Sequence, residues 1–543
     1  MKMPSSAVPA APDNTIPLII GVTGHRKIRK QDQEALALSV KTELQKLQAL
    51  CPHSQLVMLS SLAEGADLLC ADVAERLGIS LIAVLPRERE EYEKDFSPEA
   101  LERFIHHCHR AEEVFVAPFT EAIPEGGISR NYTFRQAGIY VASHSHVLLA
   151  LWDGGPGTEA ACGTAETVDF ALSGRYYPAS GVSLRTGSNE AVIHVFTPRG
   201  DRTSETAGAV HLLGEAAAIR SILCQTDDFN RLAGAFPLNA ASRLPSPPED
   251  DSCLERLERI GRTAGKLSAR YAGKYRCVLA LLAVMSALLT FSFLMYDVVQ
   301  ATGMILACGF LLLGAWGCRR FATRSDCHRR YIEYRVLSEC LRVQTYLRYA
   351  GSRVHTVEIL PWTQQEETAW ILDALCALSI GKAPETQHKI RSCWAEEQRA
   401  YHREAGKRSR RDLSGSEQIV RAALVLSIAL YLAAVAFELL CGGLLFSPAI
   451  RIADAEWYRT LLKLFLGTIS AVTLFIANYY GKLSLPRTVS DHRKMERFYE
   501  KMSDMLQQHG QTEELLTVLA REELIENGNW CSYQRDNTPD FSI

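Results

Sequence analysis

The first third of the chain alternates short apolar runs with longer amphipathic stretches. The apolar runs predict β-strands at 17–22, 55–60, 79–85, 113–117, 146–151 and 191–198. The stretches between them, with apolar residues three or four positions apart, predict α-helices at 31–50, 64–77, 97–110 and 131–143. Strands that alternate with helices form βαβ units, and strands that are apolar throughout are covered on both faces. The pattern therefore predicts an α/β domain built on a mostly parallel sheet.

The second half of the chain contains apolar runs that are too long for buried strands. Residues 277–296 and 301–318 contain no charged side chain, and similar runs follow at 420–441 and 461–480. A helix needs about 20 apolar residues to cross a bilayer. A buried helical hairpin in a soluble core is the alternative, but helices that are apolar on all faces disfavour it. The pattern predicts an all-α membrane region with four transmembrane helices in two hairpins.

Charge asymmetry around these runs predicts their orientation. Lys and Arg are concentrated in the flanks 259–276, 319–330, 407–411 and 482–494. The two turns on the other side hold only Arg451 and Arg459. Because basic flanks stay in the cytoplasm, we expect a multi-pass protein of the inner membrane with both termini cytoplasmic and the lipid bilayer as a partner.

The remaining composition narrows the class of function. A net charge of −3 argues against a nucleic-acid-binding protein, so no nucleic acid is expected as a partner. The 15 Cys form no C-x-x-C pair and the N-terminus has no apolar leader, which together indicate reduced thiols in the cytoplasm. The HHCH run at 106–109 holds potential metal ligands. Consecutive residues on a helix point in different directions, so no metal site is expected.

The first predicted strand ends in the sequence GVTGHR. In an open parallel sheet, ligands bind beyond the carboxyl ends of the strands. Gly21 and Gly24 permit a tight turn and a close approach of backbone to ligand, and Thr23 offers a hydroxyl. His25 and Arg26 follow, and the Arg26 guanidinium suits a phosphate or a carboxylate. The alternative is a tight turn that carries an exposed His-Arg pair.

The second predicted strand runs into the sequence SSLAEGAD. Gly65 permits close approach of a ligand, and Glu64 and Asp67 lie at the start of the next helix. Carboxylates in this position complement the helix dipole. They are also suited to hold ribose hydroxyls, and the sequence leaves both interpretations open.

The fifth predicted strand runs into Asp153 and Gly154 at the start of a glycine-rich loop. Gly163 and Thr164 then open a helix, and Glu166 follows in its first turn. A Gly-Thr pair at a helix N-terminus presents backbone N–H groups and a hydroxyl to an anion. Three strand ends with glycine and polar residues thus meet at one edge of the sheet, which favours ligand binding over a purely structural role.

Four segments, GVTGHR, LAEGAD, LPREREEYEKDF and ALWDG…GTAETV, resemble the SLOG superfamily of Rossmann-like domains. This superfamily includes the Smf/DprA proteins and the Lonely Guy phosphoribohydrolases. The resemblance implies a nucleotide or nucleotide-derived ligand, and no cofactor is expected. The residues that it places at the ligand are Gly21, Thr23, Gly24, Gly65, Gly163 and Thr164.

The phosphoribohydrolases of this superfamily have a PGG-x-GT-x-x-E pattern, with a catalytic Glu and an Arg upstream. In this chain Glu166 follows Thr164 by two residues rather than three, and Arg135 does not have the expected spacing. These departures favour binding without turnover, so no catalytic residue is assigned. The alternative is a membrane-anchored enzyme that processes nucleotides.

The two predicted hairpins are followed by similar sequences, SDCHRRYIEYRVLSECL and SDHRKMERFYEKMSDML. Duplicated hairpins with trailing helices resemble the SLATT family of two-transmembrane effector domains, which is associated with SLOG sensors in bacterial conflict systems. The resemblance implies a homo-oligomeric sensor-effector. In such a protein, a nucleotide-like signal controls membrane perturbation or a pore, and antiphage or conflict defence is the implied setting.

These interpretations predict seven segments along the chain. They are a tail at 1–15, a nucleotide-binding domain at 16–224, a linker at 225–251, a first hairpin unit at 252–350, a helical connector at 351–411, a second hairpin unit at 412–520 and a tail at 521–543.

Overall fold

The computed structural model describes most of the chain. The described residues are 14–121, 123–155, 163–173, 191–199, 205–236, 242, 244–245, 251–361, 368–382, 384, 387–441, 454–482 and 485–536. Nearly all of the predicted N-terminal tail at 1–15 lies outside them, as does most of the predicted linker beyond residue 236.

The N-terminal part contains a seven-stranded sheet with the order β4-β3-β2-β1-β5-β6-β7. The strands are β1 Leu18–Gly24, β2 Leu56–Ser60, β3 Ser80–Leu85, β4 Glu113–Val116, β5 Val147–Trp152, β6 Ala191–Phe196 and β7 Val210–Leu213. All neighbouring pairs are parallel except β6 and β7. The prediction of a mostly parallel, Rossmann-like sheet is therefore confirmed at the level of sheet topology.

Helices cover both faces of this sheet. They are α1 Gln33–Leu50, α2 Ala66–Arg76, α3 Arg89–Tyr92, α4 Pro98–Arg110, α5 Arg130–His144, α6 Thr164–Ser173 and α7 Ala216–Gly234. Side chains of α1, α2 and α4 share one core cluster with the sheet, and α5 and α6 share the other. Every residue of β2 and of β5 is buried, as expected for strands covered on both sides.

Two elements of this domain differ from the prediction. The edge strand β7 was not predicted, and the proposed linker at 225–251 begins instead within α7. Residues 225–234 are polar enough to predict a linker, but their polar groups are bonded inside the domain. The Asn230 side chain accepts from the Ile16 N–H and donates to the Ile16 carbonyl, both at 2.8 Å. Phe229 is fully buried and fixes the helix against its neighbours.

The C-terminal part is helical. Its helices are α8 Ser252–Asp297, α9 Met304–Ser325, α10 Cys327–Tyr349, α11 Thr356–Ile359, α12 Ala369–Leu378, α13 Glu397–Leu440, α14 Ala455–Lys482, α15 Leu485–His509 and α16 Glu513–Asp536. A π-helical turn at Arg391–Glu396 leads into α13.

Three helical stretches among the described residues are long and apolar enough to cross a membrane: Ser252–Asp297, Met304–Tyr349 and Arg391–Leu440. In the most apolar 18-residue stretch of each, the share buried by protein is 11%, 6% and 0%, respectively. These surfaces therefore suit a lipid environment. The predicted fourth span at 461–480 falls in α14, where the side chains from 474 onward lie outside the described residues. Membrane association is thus supported by three helices, and the orientation stays a prediction.

The chain folds into two compact units that do not follow the predicted segments. The first unit consists of 1–265, 335–389 and 511–528, and the second consists of 266–334, 390–510 and 529–543. The predicted connector at 351–411 is therefore divided between the two units. Within the first unit, Glu113 of β4 accepts a hydrogen bond at 2.8 Å from the N–H of Lys382. A residue 269 positions later in the sequence is thus hydrogen-bonded to the edge of the sheet.

Charged pairs join helices within the second unit. Arg403 of α13 lies 2.8 Å from Glu496 of α15, and Glu438 at the end of α13 binds Arg459 of α14 through two hydrogen bonds of 2.7 and 2.9 Å. The Glu438 carboxylate, the acidic side chain within an apolar run, is thus paired with a guanidinium.

Candidate functional site

The carboxyl ends of β1, β2, β3 and β5 meet at one edge of the sheet, which we call the ligand edge. Strand β1 pairs with β2 on one side and with β5 on the other, so the strand order reverses between β1 and β5. Crevices in open α/β sheets form at such reversals. All thirteen predicted site residues except Gly21 lie at or beyond strand ends or at the starts of α2 and α6.

Gly24 and Gly65 bring two loops of the protein against each other. A Cβ at Gly65 would lie 2.3 Å from the Arg26 carbonyl oxygen, and a Cβ at Gly24 would lie 2.4 Å from the Ala66 Cβ. Gly65 also has a φ of +96°, a region that favours glycine. The Ala66 N–H donates to the His25 carbonyl at 3.0 Å. Packing between the β1 loop and α2 therefore explains both glycines without a ligand.

Gly21 and Thr23 have different positions on β1. A Cβ at Gly21 would lie 2.2 Å from the Ser145 Oγ, so this glycine admits the end of α5 against the sheet. Gly21 pairs with Leu148 in the body of the sheet, three residues before the strand end. Thr23 lies closer to the ligand edge and is only half-buried.

His25, Asp153 and Gly154 come together between β1 and β5. The backbone N–H of Asp153 lies 3.1 Å from the His25 Nε2 and donates to it. Burial lowers the pKa of His25, against the opposing effect of the Asp153 carboxylate 3.4 Å away. Gly154 has a φ of +72° and lies beside the His194 ring. This group therefore lines the space between β1 and β5 with an imidazole of lowered pKa and a carboxylate.

Asp67 was predicted to face a ligand, but its side chain is buried in the protein. Its Oδ2 accepts from the Ser60 hydroxyl at 3.0 Å, and the Ser60 Oγ accepts from the Leu62 N–H at 3.0 Å. Burial raises the pKa of Asp67 to about 6, although these hydrogen bonds and Arg26 favour the ionised form. Asp67 therefore organises the loop after β2.

Glu64 is bound by the chain itself. Its carboxylate accepts from the Ser97 hydroxyl at 2.8 Å and from the Ser97 N–H at 3.3 Å. Ser97 immediately precedes α4, so Glu64 joins the starts of α2 and α4. Both carboxylates proposed for ribose hydroxyls thus have protein partners.

Arg26, Arg87 and Arg130 surround one aromatic ring at the ligand edge, and we call these three side chains the arginine cluster. Their guanidinium carbons lie 4.9, 5.5 and 5.3 Å from the centroid of the Phe134 ring. Asp95 is the acidic neighbour, 3.0 Å from Arg130 and 3.6 Å from Arg87. The cluster therefore places three guanidiniums around one ring, and two of them, those of Arg87 and Arg130, share the Asp95 carboxylate.

Two nitrogens of Arg87 make no hydrogen bond of good geometry among the described residues, although the Asp95 carboxylate lies 3.6 Å from one of them. Nε and Nη2 of Arg87 are buried and make no hydrogen bond with any described residue. Buried donors of this kind cost free energy unless an acceptor is supplied. A phosphate or carboxylate satisfies a guanidinium through two parallel bonds and offsets the mutual repulsion of the three cations. The arrangement is suited to an anionic ligand.

Sequence reasoning predicted only Arg26 of this cluster. Arg87 lies in the LPREREEYEKDF segment that carries the family resemblance, but it was not assigned to the site. Its position directly after β3, at the same edge as β1, is a pattern that could have identified it. Arg130, at the start of α5, comes into the cluster only through the tertiary fold.

The structure also brings Arg135 of α5 and Glu166 of α6 into direct contact as an ion pair. Arg135 binds Glu121 through two further hydrogen bonds of 2.8 and 3.0 Å and lies over the Phe170 ring. In the sequence, Arg135 departs from the spacing of the phosphoribohydrolases, which disfavoured turnover but made no prediction about its partner. Because Arg135 is shared by two carboxylates, its charge is balanced inside the protein.

Gly163 and Thr164 open α6 next to this ion pair. The Glu166 N–H donates to the Gly163 carbonyl at 3.1 Å, which forms the first turn. No described atom lies within 4 Å of a Cβ built at Gly163. The loop at 156–162 that precedes Gly163 lies outside the described residues. Among the described atoms, this helix start is open to a ligand.

A cavity of about 630 Å³ lies at the carboxyl ends of β3 and β4, within the first unit. The strand ends contribute Leu85 and Val116, and two later segments contribute Arg353 and Lys382. Pockets for nucleotide-sized ligands commonly measure about 300–1,000 Å³. Glu88 lines the cavity and follows Arg87, so the cavity borders the segment that supplies the arginine cluster.

Comparison of the sequence with protein-family models finds no match, and comparison with curated proteins finds none either. The resemblance to the SLOG and SLATT families therefore depends on the quoted motifs. A function for the chain has to be argued from the geometry of the ligand edge and from the apolar helices.

Proposed function

We propose that the α/β domain binds a nucleotide or nucleotide-derived ligand at the ligand edge and thereby controls the membrane helices. The arginine cluster is the observation that carries this proposal, because three guanidiniums surround one aromatic ring there and two of them share a single carboxylate, that of Asp95. A phosphate group is the ligand moiety that best fits planar, bidentate donors. The cavity beside β3 and β4 has room for the rest of a nucleotide.

The segments that line this cavity support the proposed control of the membrane helices. Residues 352–353 and 381–382 line it together with strand ends, and they lie in the chain between α10 and α13. A ligand that contacts them binds one arrangement of these segments more tightly. A difference in affinity between two arrangements shifts their populations, whereas equal affinity would shift nothing. We propose that this shift acts on a homo-oligomer that perturbs the inner membrane as part of a defence response.

Ligand binding can be tested on the full-length protein in lipid nanodiscs. Equilibrium dialysis against a panel of nucleoside mono-, di- and triphosphates should find at least one that binds. Arg87→Ala and Arg130→Ala should each weaken its affinity about tenfold or more, because a charge-assisted contact contributes about 1.5–3 kcal/mol. Arg220→Ala, on an exposed position of α7, is the matched control and should bind as the wild type does.

Membrane control has its own test. Full-length protein in dye-loaded liposomes should release dye when the ligand is added, and Arg87→Ala should release little at the same ligand concentration. A cysteine at Val299, in a variant without native cysteines, should react with an impermeant thiol reagent from outside cells, and one at Ser325 should not. Equal leakage with and without ligand, or the reverse labelling, would contradict the sensor-effector proposal.

A membrane-anchored phosphoribohydrolase is the second candidate, favoured by the contact between Arg135 and Glu166. Cleavage of an N-glycosidic bond needs a carboxylate beside the developing ribosyl cation. The test is release of free base from nucleoside monophosphates by the full-length protein. Base release that disappears in Glu166→Gln would support the enzyme, and no release with intact binding would favour the sensor.

A further inference from the structure

Two histidines and a glutamate converge between α2 and α4, away from the ligand edge. His106 and His107 lie near the C-terminal end of α4, and Glu75 lies near the C-terminal end of α2. The potential ligand atoms of the three residues all lie within 4.8 Å of one another. Although consecutive residues on a helix diverge, both histidines here reach the same carboxylate.

The distances between these atoms suit ligands of a single ion. The Glu75 Oε2 lies 3.0 Å from the His106 Nε2 and 3.9 Å from the His107 Nδ1. Metal bonds of about 2.0–2.1 Å in a tetrahedral zinc site place neighbouring ligand atoms about 3.3 Å apart. The His106 side chain is 53% exposed, so it has the freedom to rotate toward an ion.

The surroundings resemble the outer shell of a metal site. The other nitrogen of His107, Nε2, lies 2.7 Å from an oxygen of Asp72, and the His107 side chain is almost fully buried. A carboxylate in this position fixes the ring and leaves Nδ1 as the free ligand, as in carboxylate–histidine–metal arrangements. Arg110 binds the other oxygen of Glu75 at 2.8 Å, which leaves Oε2 for an ion.

We propose that Glu75, His106 and His107 form a binding site for a divalent transition-metal ion such as Zn²⁺. Imidazole nitrogens and a carboxylate are a ligand set that zinc accepts, with water in the remaining position. The ion would join α2 to α4 at the ends opposite those that Glu64 and Ser97 hold together. Nothing in this proposal depends on the nucleotide proposal, because the two sites share no residue.

The test uses full-length protein in nanodiscs, purified with a tag that contains no histidine. Zinc affinity is measured by competition with a chromophoric chelator, and Co²⁺ replaces zinc for spectroscopy. His106→Ala should weaken zinc binding about 100-fold, and Asp72→Asn about tenfold, as outer-shell changes do. His109→Ala, exposed on the same helix and outside the cluster, should bind like the wild type.

The melting temperature distinguishes a metal site from a set of purely structural hydrogen bonds, because only a metal site makes it depend on zinc. Zinc should raise the melting temperature of the wild type and of His109→Ala but not that of His106→Ala. Because His106 is exposed, its replacement should leave the fold intact, and Glu75→Gln serves as a second variant. Equal zinc affinity in all of these variants, or a Co²⁺ spectrum dominated by thiolate bands, would overturn the proposal.

Discussion

The loops after β1 and β2 differ sharply from the start of α6 at Gly163, although the sequence of each predicts a glycine-lined ligand site. Gly24 and Gly65 are enclosed by backbone and side-chain atoms within 2.4 Å of their missing Cβ atoms. Gly163 has no described atom within 4 Å of its own. The same residue type thus serves internal packing in one loop and leaves an open surface in the other.

This difference changes where ligand recognition is expected. In the closed pair of loops, the glycines and carboxylates already have partners in the protein, so recognition depends on the guanidiniums of the arginine cluster. At the start of α6, no described atom crowds the Gly163 position, and the backbone N–H groups of a helix start suit an anion. Substitutions in the closed loops should therefore affect stability first, and those in the open loop should affect binding first.

The largest expected effect is that of Gly65→Ala. The new Cβ would meet the Arg26 carbonyl at 2.3 Å with a φ of +96°, which we expect to destabilise the domain by about 4 kcal/mol. Gly78→Ala is the matched control, because Gly78 has a φ of +68° but no described atom within 4 Å of its Cβ position. Its cost should be about 1–2 kcal/mol.

Hydrogen exchange of β2 amides in the full-length protein measures both variants. Equal losses of protection would mean that backbone conformation, and not contact between the two loops, accounts for Gly65. Unchanged protection in Gly65→Ala would remove the distinction between closed and open loops altogether.

A second effect concerns Asp67 and depends on pH. Its pKa is about 6 in the folded protein and 3.8 as the unperturbed value, so folding favours the protonated form. The resulting stability is fully present below pH 3.8 and is lost as the pH rises through 6. The free energy of unfolding should fall by about 3 kcal/mol over this interval from this group alone. Asp67→Asn should remove that part of the pH dependence.

The measurement is hydrogen exchange of the β2 amides between pH 4 and pH 7, corrected for intrinsic exchange rates. A wild-type slope that persists unchanged in Asp67→Asn would show that Asp67 ionises freely and is not enclosed in its loop.

A smaller effect is expected for Glu64→Gln. Loss of the charge in the bonds to Ser97 should destabilise the contact between α2 and α4 by about 0.5–1 kcal/mol. Glu99→Gln, an exposed acidic residue in the first turn of α4, is the control and should have a smaller effect on denaturant midpoint. A larger loss of ligand affinity than of stability would instead place Glu64 in the binding site.

The smallest expected effect on stability is that of the double variant Gly163→Ala with Thr164→Val. Its free energy of unfolding should stay within about 0.5 kcal/mol of the wild-type value, as is usual for surface substitutions. The same variant should bind the nucleotide more weakly, because it crowds the helix start and removes a hydroxyl. Calorimetric titration compares the two properties on one sample. Unchanged affinity would exclude this loop from the ligand site.

Six strands of the α/β domain were predictable because each is a mainly apolar run that needs cover on both faces of the sheet. Strand β5, predicted at 146–151 and found at Val147–Trp152, is an example. Strand β7 was missed because it is short, lies at the sheet edge and exposes Val210 and Leu212, so burial gives it no pattern. Helix α7 was taken in part for a linker because its polar residues have partners that are distant in the sequence.

The sequence predicted which strand ends lie together, but it did not predict which side chains have unmet hydrogen-bonding or charge requirements there. Glycines and polar residues at strand ends lie at one edge of the sheet as expected, since topology places parallel strand ends together, and ligand binding there stays a prediction. The sequence does not show why residue 65 has to be glycine, because the requirement comes from a backbone contact with the β1 loop. Arg130 was missed because a charged residue at a helix start has no sequence pattern that indicates its neighbours.

The discontinuous first unit has a consequence for how the protein is made. Residues 511–528 belong to the same unit as the sheet, but the ribosome adds them about 280 residues after α7 is complete. At 5–20 residues per second, this interval lasts roughly 15–60 s. During that time the apolar helices α8, α9 and α13 all leave the ribosome. We expect the apolar helices to insert into the membrane before the α/β domain is complete. A complete α/β domain would then imply that insertion has already taken place.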